Sequence, residues 1–184
     1  MSTRRARALQ FWILFSLVLT GMAPLVAGCI YSTKTERVQL EPTTREIFTA
    51  DSCGAFRLRL DDHTNWARRS DDAELDEIGF ACVVSNPGPL SLTAEIWITP
   101  DAVPASSGRE VEARGFRVVG GVAVPDSSDA RITYVASQRL AENSTDLRNA
   151  ARNGTFYAYV LGVEPGYRLI AGDFSLVALV TSGR

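Results

Sequence analysis

Seven carboxylates crowd one polar stretch, at Asp61, Asp62, Asp71, Asp72, Glu74, Asp76 and Glu77, against the cations Arg68 and Arg69. Carboxylates at alternate positions suggest calcium, which takes six to eight oxygen ligands. A calcium loop counted from Asp72 fails, because its sixth place needs Gly and holds Glu77, and its twelfth holds Val83 where Glu is required. The single His, His63, lies beside Asp61 and Asp62. A triad built on it would need an activated nucleophile, and no G-x-S-x-G elbow occurs. Acid pairs of the glycosidase kind need no His, so a hydrolase or carbohydrate-active enzyme using loop carboxylates stands as the alternative reading. Gly120-Gly121 lacks the spacing of a phosphate loop and reads as a turn. Two tryptophans stand among polar neighbours: Trp66 in the acidic stretch, and Trp97 on a strand face shared with Ser91, Thr93 and Glu95. Aromatics on polar surfaces often anchor partners, so both are candidate partner contacts.

The 184-residue composition bounds what these groups can do. It is 46% hydrophobic and 22% charged, ordinary for one globular domain. A formal charge of −2 provides no basic field for a nucleic-acid backbone. One His and three Cys are too few for a zinc or iron–sulfur site. The expectation is therefore no catalytic residue, no metal and no cofactor.

The amino terminus carries the sharpest signal. Arg4, Arg5 and Arg7 precede an apolar run from Phe11 to Val26 that is broken by Gly21 and Pro24. A basic start, a short apolar run and small residues at its end mark a secretory signal. The run is shorter than the roughly 20 residues a membrane span needs. Val26-Ala27-Gly28-Cys29 resembles the lipobox of bacterial lipoproteins. The resemblance implies lipidation of Cys29, removal of residues 1–28 as signal peptide, and anchoring through acyl chains, with Ile at position 30 pointing to the outer membrane. Cleavage would take 28 residues off the 184 and three bases off the 19, leaving 156 residues with 16 bases against 21 acids. The expected protein is lipid-anchored, faces the periplasm, and has a protein partner in the envelope. Residues 29–34 would form a short tether, whose extended reach is about 20 Å. With Cys29 lipidated, Cys53 and Cys82 remain as an even pair in an oxidising compartment and are expected to form a disulfide.

Residues 35–184 must position these groups, and their patterning is mostly of period two. Phe56–Leu60 alternates, Ile78–Val84 is a continuous apolar run, and Asn86-Pro87-Gly88-Pro89 supplies a turn before Leu90–Ile98, the expected return strand of a hairpin. Phe116–Val119 and Val122–Val124 flank Gly120-Gly121 as a second hairpin. Arg131–Ser137, Thr155–Val163 and Leu169–Thr181 read as strands, the last two joined by Glu164-Pro165-Gly166-Tyr167 as a hairpin turn. Ser144-Thr145-Asp146 begins the one helical segment and Asn153-Gly154 ends it. The pattern predicts an all-β, two-sheet antiparallel β-sandwich with one short connecting helix. Asp61–Glu77 is expected as an exposed, mobile loop, with Trp66 adding little stability.

Overall fold

The computed structural model describes residues 34–41, 44–63, 66 and 73–182. The expected signal peptide, the lipobox-like run and Cys29 lie outside the described residues. Nine strands carry the folded unit Lys34–Ser182: β1 (Lys34–Leu40), β2 (Glu46–Thr49), β3 (Phe56–Arg59), β4 (Ala73–Asn86), β5 (Leu92–Thr99), β6 (Phe116–Val124), β7 (Ser128–Ile132), β8 (Thr155–Gly162) and β9 (Arg168–Ser182). They form two antiparallel sheets. The first runs β1-β9-β4-β7, with β2 also paired to β9, and the second runs β3-β8-β5-β6. The chain changes sheet from β2 to β3, from β3 to β4, from β4 to β5, from β6 to β7, from β7 to β8 and from β8 to β9. With β1 and β2 counted as one interrupted strand, this is the order of an eight-stranded jelly roll.

That order corrects both outer hairpins. Asn86–Ser91 and Glu164–Tyr167 have turn chemistry, but each joins strands of different sheets. The apolar run of β4 is buried because it lies between β9 and β7 at the centre of its sheet. Gly120-Gly121 is no turn either. β6 passes straight through it, and β5 pairs Ala94 with Val122 and Ile96 with Val119, so the two glycines sit in a bulge. A Cβ on Gly121 would come within 2.7 Å of the Thr93 methyl.

Three α-helices, not one, are present among the described residues: α1 (Gly108–Arg114), α2 (Tyr134–Arg139) and α3 (Ser144–Arg152). The Arg131–Ser137 strand ends early because the Thr133 hydroxyl accepts the Ala136 N–H at 3.2 Å and starts α2. Ser137 then accepts the Phe80 N–H at 2.9 Å, so α2 covers the edge of β4 where β7 has left it. α3 occupies its expected span, although its cap is Asn143 in the left-handed region at φ 49°. None of the described helices is long and apolar enough to cross a membrane.

The acidic stretch is largely structured at its two ends. Leu60–Asp62 forms a 3-10 turn, and Ala73–Glu77 opens β4. A bulge at Asp76 lets Leu75 and Ile78 both face inward while Asp76 and Glu77 face solvent. Trp66 is 3% exposed and belongs to the core. The expected solvent-facing loop aromatic is thus a packed one, because the core that covers it comes from distant parts of the chain.

Between the sheets Phe56 stacks on Phe174 with centroids 4.4 Å apart, flanked by Phe48 and Phe80. Each such side chain contributes about 1.5–3 kcal/mol by burial. Cys82 is buried and Cys53 half-buried, and both are free thiols. The expected disulfide does not form. Cys53 bridges to Phe48 outside β2, and β2 and β9 lie between it and the strand of Cys82. Three inter-strand steps are roughly 14 Å, whereas bridged cysteines have Cα atoms within about 7 Å.

Candidate functional site

The expected site residues are not brought together. Trp66 is core, whereas Trp97 stands on the outer face of β5, half-buried, opposite Tyr159 of β8 and Arg117 of β6. Its indole N–H donates to Glu95 Oε2 at 3.0 Å, and Glu95 Oε1 accepts from Arg117 at 2.5 Å. Arg117 also donates to both oxygens of Glu142, at 2.8 and 3.0 Å. Trp97 is therefore one member of a polar network that leaves part of its ring exposed. The acids disperse in the same way. Asp61 pairs with Arg59 at 3.3 Å, Asp76 accepts the Thr181 hydroxyl, and Glu77 accepts from Tyr134 and Gln138. Among the described residues no group of three or more His, Cys, Asp or Glu could hold a metal. Asp61, Asp76 and Glu77 are thus engaged separately, each with its own partner.

The thiols are equally quiet. Burial, helped by the Glu110 carboxylate, pushes the Cys53 thiol up to about 11, and burial alone pushes Cys82 up to about 12. Since only thiolate reacts, both should resist modification at neutral pH while folded. Titration of the mature protein should find two free thiols after denaturation and slow reaction before it. Recovery of no free thiol after denaturation would restore the bridge.

An organised surface lies at one end of the sandwich, where the β4–β5, β6–β7 and β8–β9 crossings meet. Asn86 is 1% exposed there. Its Nδ2 donates to the carbonyls of Leu90 (2.7 Å), Pro125 (3.1 Å) and Val124 (3.3 Å), while Oδ1 accepts the Gly88 N–H at 3.0 Å. One short amide side chain thereby ties the β4–β5 crossing to the β6–β7 crossing. Pro87 and Pro89 fix their own φ and withhold N–H donors, which stiffens the loop further. Ser127, in the left-handed region at φ 47°, donates its N–H to Gly88 O at 2.9 Å.

The β8–β9 crossing is fastened to the same end. Val163 donates its N–H to Thr93 O at 3.0 Å, and Glu164 Oε2 accepts the Thr93 N–H at 2.8 Å. Burial works against the Glu164 charge, but the Thr93 donors outweigh it and hold the carboxyl below its ordinary value. Gly166 makes the turn at φ 70°, where a side chain would be strained.

On this rigid frame two apolar side chains stand in solvent: Leu90 is 73% exposed and Val163 59%. Between the crossings lies a cleft of about 200 Å³ lined by Pro89, Leu90, Leu92, Glu164, Tyr167 and Arg168. The alternation of Leu90 with Leu92 suggests an inward-facing strand residue, but β5 begins only at Leu92 and Leu90 stays outside. Asn-Pro-Gly-Pro marks a turn in the sequence; nothing there shows that Asn86 reaches a second loop 39 residues on.

No family model matches the chain, and no curated protein matches it. Among solved structures, a chain of turnip yellow mosaic virus is similar at 10% identity and a TM-score of 0.37, with 85% of this chain and 82% of that one covered. A xylan-binding domain from Paenibacillus barcinonensis is similar at 10% identity and a TM-score of 0.34, covering 80% of this chain and 81% of that one. The BFDV capsid protein is similar at 10% identity and a TM-score of 0.34, with 85% and 96% covered. Likenesses at this level assign no function to the chain.

Proposed function

We propose that this chain is a lipid-anchored lipoprotein of the bacterial outer membrane, facing the periplasm, whose jelly roll is a non-enzymatic binding or assembly module. The observation that carries the reading is the direction of the chain through the fold. Lys34, where β1 starts, pairs with Ser182 at one end of β9, and the tip cleft lies at Arg168, the other end. A 15-residue strand is about 45–50 Å long. Cys29 precedes Lys34 by five residues, so a lipidated Cys29 would hold the Lys34 end near the membrane. The tip, with Leu90 and Val163, would then point away from it toward a protein partner. Rigid loops that already expose their apolar side chains lose little entropy on binding.

Two measurements test the two halves of the reading. Mass spectrometry of the mature amino terminus should find an acylated Cys29, and Cys29→Ser should accumulate as uncleaved precursor. A mature start at another residue ends the anchor reading. In-envelope crosslinking should give adducts that Leu90→Ser combined with Val163→Ser removes while the melting temperature stays within about 2 °C, since exposed apolar side chains add little stability. Adducts that persist in that double variant end the tip reading.

A further inference from the structure

A second concavity, sharing no residue with the tip cleft, lies on the outer face of the β1-β9-β4-β7 sheet. It holds about 260 Å³, with Ala81 and Val83 as floor and Arg131, Thr133, Tyr134 and Asp173 as walls. Its shape follows from a bulge. β4 pairs Ala81 with Ser175 but Val83 with Gly172, so Asp173 and Phe174 together oppose Cys82. Phe174 turns into the core and stacks on Phe56, which leaves Asp173 exposed at φ 49°. Bulges of this kind re-aim a side chain, and the left-handed position ordinarily favours Gly. Here it carries a carboxylate.

Across the floor from Asp173 stands Arg131, since Val83 pairs with Arg131 on one side and with Gly172 on the other. Two strand spacings, about 10 Å, separate the backbones that carry the two walls. No ion pair or hydrogen bond to another described residue engages the side chain of Arg131 or of Asp173. The third wall is fixed: the Tyr134 hydroxyl donates to Glu77 at 3.3 Å and accepts from Gln138 at 2.8 Å.

The lining selects a ligand class. A phosphate or sulfate would meet the Asp173 carboxylate, and an amine would meet the Arg131 guanidinium. A neutral polyol suits both, because adjacent hydroxyls donate to a carboxylate and accept from a guanidinium. The apolar floor and the Tyr134 ring suit the C–H face of a pyranose. A peptide taken by strand addition pairs with a free strand edge, whereas the floor residue Val83 lies on β4, which is paired on both sides there. We infer that the groove is a saccharide-binding site that takes one pyranose ring of a neutral glycan between Arg131 and Asp173.

The test is a titration of the detergent-solubilised full chain with cellotetraose, with chitotetraose and with an alanine-rich tetrapeptide, followed by backbone amide shifts. The two saccharides separate a plain glucan source from an N-acetylated one. At least one of them should shift amides at 81–83, 131–134 and 173. Arg131→Ala and Asp173→Gly should each weaken binding by about tenfold or more, as expected for a lost hydrogen bond to a charged group. Glycine adopts the backbone of position 173 without strain, so the Asp173→Gly fold survives while the carboxylate is gone. Leu90→Ser should bind saccharide like the parent, which keeps the groove distinct from the tip. Shifts with neither saccharide, shifts with the tetrapeptide alone, or parental binding in both groove variants would overturn the assignment.

Discussion

Trp66→Ala should cost the fold about 3–5 kcal/mol, the range for removing a buried aromatic side chain. For a domain of this size that lowers the melting temperature by on the order of 10 °C. The expectation rests on packing. Trp66 is 3% exposed within the contiguous core, and its backbone N–H donates to His63 O at 3.0 Å just after the Leu60–Asp62 turn. Leu60, at the head of that turn, is 1% exposed. The turn thus drives two large apolar side chains into the sandwich from a segment whose other residues are mostly polar. Trp66→Phe should recover part of the loss, because a ring still fills part of the space. Thermal melts of the three proteins decide the matter. A drop under 2 °C for Trp66→Ala would mean that the indole contributes no packing. Crosslinked adducts at the tip should be unchanged below the melting transition, since Trp66 lies in the β3–β4 connection and is not among the residues that line the tip cleft.

Much of this architecture is legible in one-dimensional patterning, and the failures share a cause. β8, β9 and the centre of β4 emerge from apolar runs because both faces of a central strand must be buried. α3 emerges because Leu147, Ala150 and Ala151 fall on one helical face and are all buried. By contrast, α2 is six residues long, and Ile132, Tyr134 and Ala136 alternate as a strand would. Only the Thr133 cap distinguishes the two, and a single cap is a weak signal against a clear alternation. Turn chemistry at Asn86–Pro89 and at Pro165-Gly166 states that the chain reverses, not which sheet it joins. Sheet membership is set by β9, which is long enough to pair with β1, β2 and β4.

The site residues fail for the same reason at closer range. Spacing in sequence says nothing of the two strands that separate Cys53 from Cys82. It likewise cannot show that Trp66 meets the core, that Asn86 reaches Pro125, or that a bulge turns Asp173 toward Arg131. Each depends on contacts between distant segments. What the sequence does carry is the chemistry of the elements that later meet: an Asn before two prolines, and an acid where the backbone favours glycine.

Asn86 gives the second large expected effect. Asn86→Ala removes the donor to three carbonyls and the acceptor for the Gly88 N–H. A buried polar group left without a partner costs about 1–3 kcal/mol, and water entering the opened loop recovers some of that for several groups at once. A loss of about 2–4 kcal/mol is therefore expected, together with loss of the ordered cleft. Asn86→Asp should be worse at neutral pH. It keeps an acceptor for Gly88 but turns a carboxylate oxygen toward carbonyl oxygens in a site 1% exposed. Burial and those carbonyls would raise the folded-state value of the introduced carboxyl above its unfolded value, because only the protonated form can donate. By linkage the variant is then most stable below the unfolded value and loses stability as pH rises through the folded one. Asn86→Ala introduces no titrating group and should show no such added slope. Denaturant midpoints of both variants between pH 4 and pH 8 test this, read as differences from the parent at each pH. Parallel, pH-independent losses for the two substitutions would show that Asn86 acts by shape alone. Partner adducts lost in Asn86→Ala at temperatures where the β-sheet signal persists would show that the tip binds through its order as well as through Leu90 and Val163.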